Sequence, residues 1–305
     1  MSVTIIPARE GQSPNWITQF NSKNPPDVFF DTNVWISMSS DDVASLKSLE
    51  ERFGFRYRYT VTNFAELASH LTDVPSATCA NPFVKYRTCF RKIIRLSIAE
   101  ILPSPEMEFL EMTGLSHYLD PVWIPNVGHI MRATQIVANA PNVEGVAEIK
   151  PGHYRLLREA DSASFRKIME FLAEIERPIR GQDEEKLNRL ILWFMKLANF
   201  FLLVRPSNKG AHYDLLTAEE RSRFDMAFTN GAGKLFNVHC NALVKKRINS
   251  GKAIDPNDLY DMMQLLLLRN PNRIFVTEDN AFYDYQIEPG VQRVLNWTAF
   301  RSSSN

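Results

Sequence analysis

The sequence predicts an α/β fold built on a central, mainly parallel sheet, and three stretches carry that prediction. Val28, Phe29 and Phe30 run straight into Asp31; residues 57–62 form a second β-prone run; and Ile274, Phe275 and Val276 lead through Thr277 to Asp279. The first run, short and apolar, suits a strand buried on both faces, the pattern of parallel sheets. The first two runs are separated by a stretch of helical spacing, so they form a strand–helix–strand crossover, expected to be right-handed.

Taken in order, residues 1–26 read as an N-terminal arm, polar and Pro-punctuated over 8–26, without the basic and long apolar regions of a signal peptide. The first strand ends at Asp31. A carboxylate delivered by a buried strand is unfavourable unless it opens into a crevice or meets a cation; an Asp closing a strand is also an ordinary cap or turn residue. Asp41 and Asp42 can cap a helix running to about Arg52, with Val43, Leu46 and Leu49 on one side. The second strand, 56–62, leads into a helix over 63–70 with Glu66 in its first turns.

Residues 81–100 read as a helix ended by Pro103 and Pro105. Its apolar Phe83, Phe90, Ile94 and Ile98 are interleaved with Lys85, Arg87, Arg91, Lys92 and Arg95. These cations are either a solvated face on a packed helix or a substrate-binding surface that grips phosphates, with Tyr86 available for stacking. Beyond residue 120 the pattern is helical: 124–140, 154–176, 183–204 and 217–249, the last broken near Gly231 and Gly233. Thr217 and Glu220 fit a capping box. The run 190–204 is apolar nearly all round, but it is too short to span a bilayer and contains Lys196 and Asn199, so it reads as a buried core helix. His239 and Cys240, like His70 and His117, lack partners at metal-ligand spacing. Lys245, Lys246 and Arg247 suit a helix C-terminus, with phosphate contact as the second reading. A helix starting near 256 sets Asp258 and Asp261 one turn apart, the last strand follows, and 301–305 is a polar tail.

The bulk composition narrows the classes. With 35 basic and 35 acidic side chains, overall charge does not argue for nucleic acid, so any such binding rests on local patches. Cys79, Cys89 and Cys240 are odd in number and lack Cys-x-x-Cys spacing, which disfavours a disulfide scaffold or zinc site and suits a reducing cytoplasm. No membrane association is expected.

Asp31, Glu66, Asp261 and Asp279 sit at two strand ends and two helix beginnings. Gathered in one crevice they would repel one another unless hard cations bound them, which implies Mg²⁺ or Mn²⁺. In this order and spacing, Asp31-Thr32-Asn33, Glu66, Asp261 and Thr277-Glu278-Asp279 resemble the motifs of PIN-domain nucleases. The resemblance covers roughly 27–72 and 253–300. It implies a PIN-like three-layer fold, divided here into a discontinuous catalytic domain (27–72 with 251–300) and a large all-helical insertion (73–250).

It further implies metal-dependent hydrolysis of phosphodiester bonds, in an endoribonuclease leaving a 5′-phosphate. Asp31, Glu66, Asp261 and Asp279 would be the catalytic metal ligands and Asp258 an auxiliary; Thr32, Asn33 and Thr277 would orient them. RNA is the expected substrate, and a protein inhibitor or a second copy a candidate partner, since small PIN proteins include toxins and defence factors. A structure-specific DNA nuclease and a PIN-like scaffold without catalysis remain open. A haloacid-dehalogenase-type phosphatase would need an acid two residues after Asp31, where Asn33 stands.

Overall fold

The computed structural model describes residues 2–5, 18–21, 23–98, 100–179, 184–207, 211–250, 258–279, 282 and 293–302. In chain order these form β1 (Ser2–Ile5), β2 (Thr18–Asn21), β3 (Asp27–Phe30), α1 (Thr32–Ser37), α2 (Ser40–Phe53), β4 (Arg56–Arg58), α3 (Val61–Ser69) and α4 (Pro82–Ser97). There follow α5 (Pro105–Thr113), α6 (Val127–Asn139), α7 (Pro151–Ile179), α8 (Glu184–Asn199), α9 (Ala218–Ala227), α10 (Gly231–Ser250) and α11 (Asp258–Gln264). The chain closes with β5 (Arg273–Thr277), β6 (Val294–Asn296) and α12 (Trp297–Ser302).

These elements divide into two compact units. One comprises Met1–Pro103, Asn126–Arg158 and Asn270–Asn305; the other comprises Ser104–Pro125 and Glu159–Arg269. The division differs from the expected insertion at 73–250, because α4, α6 and the start of α7 belong with the sheet. The reason is packing: Phe64 of α3 meets Phe90 of α4 and Tyr154 of α7 edge-on at 5.7 and 5.3 Å.

The first unit contains a four-stranded, all-parallel sheet of order β4-β3-β5-β6. From β3 the chain crosses to β4 on one side, and β5 later joins β3 on the other. The strand order therefore reverses between β3 and β5, a topological switch point whose crevice opens at the strands' carboxyl ends. Val28, Phe29 and Phe30 are fully buried. Successive strand residues face opposite ways, and here both faces are covered: Phe30 packs on Trp35, Tyr57, Trp297 and Phe300, while Phe29 stacks on Phe275 at 5.0 Å. In place of a plain polar arm, β1 and β2 pair as a small antiparallel ribbon.

Helix ends follow local chemistry. Ser39, rather than Asp41, caps α2 in a reciprocal capping box with Asp42, and Gly54 closes that helix at φ +72°. The second strand is shorter than expected because Thr60 and Asn63 form a capping box that starts α3 at Val61. Helix α4 ends at Ser97, ahead of Pro103 and Pro105; Pro105 instead opens α5, where an N1 proline is favourable.

The second unit is helical. Phe109, Phe200, Phe224 and Phe236 are among its fully buried side chains. Thr217 forms the expected capping box with Glu220. The break at Gly231 is real: this residue has φ +55°, and a Cβ at Gly233 would lie 1.9 Å from the Ala227 carbonyl oxygen. The run 190–204 is not a wholly buried helix. Helix α8 ends at Asn199, a π turn follows at Phe200–Val204, and Leu192, Trp193 and Phe201 are exposed. Lys196 reaches Asp225 at 2.7 Å, which keeps one side of α8 polar. Side chains of Lys245, Lys246 and Arg247 and the tail 303–305 lie outside the described residues, and no helix among those described is long and apolar enough to cross a membrane.

Candidate functional site

Asp31 follows the last residue of β3, and its backbone N–H extends the β3–β5 ladder by donating to the Val276 carbonyl at 2.9 Å. This places the side chain at the switch point, 1% exposed. The Thr277 hydroxyl donates to Asp31 Oδ2 at 3.1 Å and accepts the Asp279 backbone N–H at 3.0 Å, so one side chain organises both carboxylates. Asp31 Oδ1 is buried without a hydrogen-bond partner, and the side chain does not cap α1. Burial pushes the Asp31 pKa up to about 6; the Thr277 hydrogen bond and the Thr32 and Asn33 N–H groups oppose the rise, and the charge of Asp279 adds to it.

Glu66, in the second turn of α3, is 5% exposed. The Thr32 hydroxyl donates to Glu66 Oε2, and Asn63 Nδ2 donates to the Thr32 oxygen at 3.0 Å. Asn63 is held in turn by its capping box with Thr60. Burial pushes the Glu66 pKa up to about 7; Thr32 and the nearby Arg158 guanidinium oppose this, and Asp31 adds to it. Arg158 Nη2 lies 3.8 Å from Glu66 Oε1. Asp31 is thus electrostatically linked to Glu66 on one side and to Asp279 on the other.

The first unit therefore gathers Asp31, Glu66 and Asp279 around the ends of β3 and β5. Asp258 and Asp261 lie on α11, which belongs to the second unit. Among the described residues, no group of three or more His, Cys, Asp or Glu side chains is arranged to hold a metal ion. Within the first unit, Glu66 is engaged by Thr32 and Arg158. Of the orienting residues, Thr32 and Thr277 hydrogen-bond carboxylates as described, whereas Asn33 is exposed.

The basic face of α4 is largely committed to the fold. Arg87 donates to the Ala140 and Pro141 carbonyls, Arg91 to Ala138, and Lys92 to Trp35 and Ile36, so these three satisfy carbonyls at the ends of α6 and α1. Tyr86 is not available for stacking on a base: it is buried, and His70 stacks on it at 4.9 Å. Only Lys85 and Arg95 keep exposed cationic heads without such carbonyl contacts.

Sequence reading missed Asn63 and Arg158. The Thr60-x-x-Asn63 spacing was a signal for the first; Arg158 approaches Glu66 through a contact that spans 92 residues (158 − 66), for which no local pattern exists. No protein-family model, curated protein or solved structure matches the chain.

Proposed function

We propose that the chain is a metal-dependent phosphodiester hydrolase, a PIN-like nuclease acting on RNA. The observation that carries the reading is Asp31: a carboxylate buried at the sheet's switch point, with one oxygen unpartnered and its pKa pushed up to about 6. A buried anion left in this condition is a standing liability for stability, and such sites are where function is concentrated.

The donor set suits a hard divalent cation. Mg²⁺ retains several waters and commonly takes only one or two carboxylates alongside substrate phosphates, so a closed cage of three acids is not required. Asp31 and Asp279 would hold it, and Glu66 would join once turned from Arg158. The cation would neutralise the scissile phosphate, lower the pKa of a water and stabilise the leaving oxygen. Thr277 keeps Asp31 aimed, and Thr32 keeps Glu66 in place.

The test is cleavage of end-labelled RNA and DNA with Mg²⁺ or Mn²⁺ against chelator, using wild type and Asp31→Asn. Expected are RNA products ending in 5′-phosphate, dependent on the metal and reduced by at least about 100-fold in the variant. Preferential cutting of branched or junction DNA would favour the DNA nuclease reading. Full metal-dependent activity in Asp31→Asn would overturn the assignment.

A further inference from the structure

Two threonine hydroxyls serve the acids of this site in the same way. Thr277 accepts the Asp279 backbone N–H at 3.0 Å and donates to Asp31 Oδ2 at 3.1 Å. Thr32 accepts from Asn63 Nδ2 at 3.0 Å and donates to Glu66 Oε2. In each case an N–H group occupies an acceptor position of the hydroxyl, and the hydroxyl proton goes to one carboxylate oxygen. For Thr277 that N–H belongs to the backbone. For Thr32 it belongs to the amide of Asn63, a side chain that is fully buried.

Chemistry fixes the orientation of that amide. Asn63 Oδ1 accepts the Thr60 backbone N–H at 3.0 Å, a contact only the amide oxygen can make, so Nδ2 is the atom that faces Thr32. The donors are therefore ordered one way, from Thr60 through Asn63 and Thr32 to Glu66 Oε2. The other oxygen of each acid is less committed. Asp31 Oδ1 has no hydrogen-bond partner, and Glu66 Oε1 has Arg158 Nη2 at 3.8 Å, a charge contact rather than a formed hydrogen bond.

We propose that Asn63 is a positioning residue: by setting the polarity of the Thr32 hydroxyl it holds Glu66 Oε2 as an acceptor and presents Oε1 to a divalent cation shared with Asp31 Oδ1. The inference rests on the metal-dependent reading and deepens it by naming the oxygens that would meet the cation and the residue that selects one of them. Asn63 acts only through Thr32. Without its amide the hydroxyl can rotate and Glu66 with it, and orienting partners of this kind carry about 10–100-fold in metal affinity or activity.

The probe is Mn²⁺, whose binding is read from the loss of the free-ion EPR signal, with no need of cleavage. Wild type should bind it, and Asp31→Asn, which removes a ligand charge, should lose most of that binding. Thr32→Val and Asn63→Ala should each weaken binding by about tenfold, and Thr32→Ser, which keeps the hydroxyl, should recover most of the loss. In Asn63→Ala the Thr60 hydroxyl still accepts the backbone N–H of residue 63, so α3 keeps its start. The decisive arm is the double variant. Thr32→Val combined with Asn63→Ala should bind within about twofold of either alone, whereas two independent structural losses would multiply. Unchanged affinity in Asn63→Ala, multiplied effects in the double variant, or a Thr32→Ser as weak as Thr32→Val would each overturn the proposal and leave the metal site standing. If wild type binds no Mn²⁺, or Asp31→Asn binds it as tightly as wild type, the metal-dependent reading falls, and this inference with it.

Discussion

In the second unit, Arg205 is 9% exposed at its side chain and clasped by Asp161 at 3.1 and 3.2 Å and by Glu106 at 3.2 Å, with the Tyr260 hydroxyl donating to Asp161. In the first unit, Asp31 and Glu66 are buried to a similar depth, but two threonine hydroxyls and one guanidinium at 3.8 Å are the principal compensation. The titration behaviour diverges accordingly. Burial alone would depress Arg205, but the charges of Glu106 and Asp161 outweigh it and hold the guanidinium firmly protonated; at Asp31 and Glu66 burial wins and both rise. A buried charge matched by opposite charges braces a fold, whereas one without that match waits for something else to supply the balance.

The largest expected effect is on the balanced cluster. Arg205→Met would leave Asp161 and Glu106 with no guanidinium between them, and urea denaturation should show a loss of about 3–5 kcal/mol. A loss below about 1 kcal/mol would mean that the cluster is not the brace described here.

Removing charge from the other cluster should act in the opposite direction. The folded-state pKa of Asp31 is about 6 against an ordinary 3.8, so the native state binds the extra proton. Stability from that proton is fully present below about pH 4 and is lost as pH rises through 6. Asp31→Asn should therefore stabilise the metal-free protein by about 3 kcal/mol at pH 8, with the gain shrinking toward pH 5. Glu66→Gln should show the same sign, its window extending to about pH 7. Urea titrations at pH 8, 6.5 and 5 in chelator check this; a destabilised Asp31→Asn at pH 8 would place the pair with the balanced clusters instead.

A cation that completes the site should produce part of the same gain. Mg²⁺ at ten times its dissociation constant should add about 1.4 kcal/mol to wild type. Asp31→Asn should show little of this, and a thermal melt with and without Mg²⁺ reads the difference directly.

How far this contrast was legible beforehand depended on range. Asp31 and Asp279 announced themselves because a buried strand ending in an acid is a local pattern, and the sheet brought their strands side by side. Helix positions followed from apolar spacing and from Thr217-x-x-Glu220. What escaped was set by contacts distant in sequence: Arg158 against Glu66, and the grouping of α4 and α6 with the sheet, which moved the domain division away from 73 and 250. The expected role of Asp261 rests on its spacing from Thr277, and α11, which carries it, is assigned to the second unit. The cations of α4 read as a phosphate surface because sequence shows charge but not the carbonyls that absorb it.

That last point gives the smallest effects and the finest discrimination. Arg91 Nε donates to the Ala138 carbonyl at 2.8 Å, near the end of α6, whereas Arg95 projects into solvent. Arg91→Met should cost about 1 kcal/mol, the worth of one hydrogen bond to a carbonyl otherwise left short. Arg95→Ala should stay within about 0.5 kcal/mol of wild type, as surface changes do. The two swap places if nucleic-acid affinity is measured instead. A cation pinned to α6 has little freedom to follow a phosphate, whereas an exposed one can contribute its share of long-range attraction, so Arg95→Ala should lower the salt slope slightly and Arg91→Met hardly at all. If Arg91 proves the stronger contributor to binding and is silent in stability, then its carbonyl contact gives way to substrate. The basic face of α4 would then have to be counted with the unbalanced charges of the sheet edge rather than with the braces.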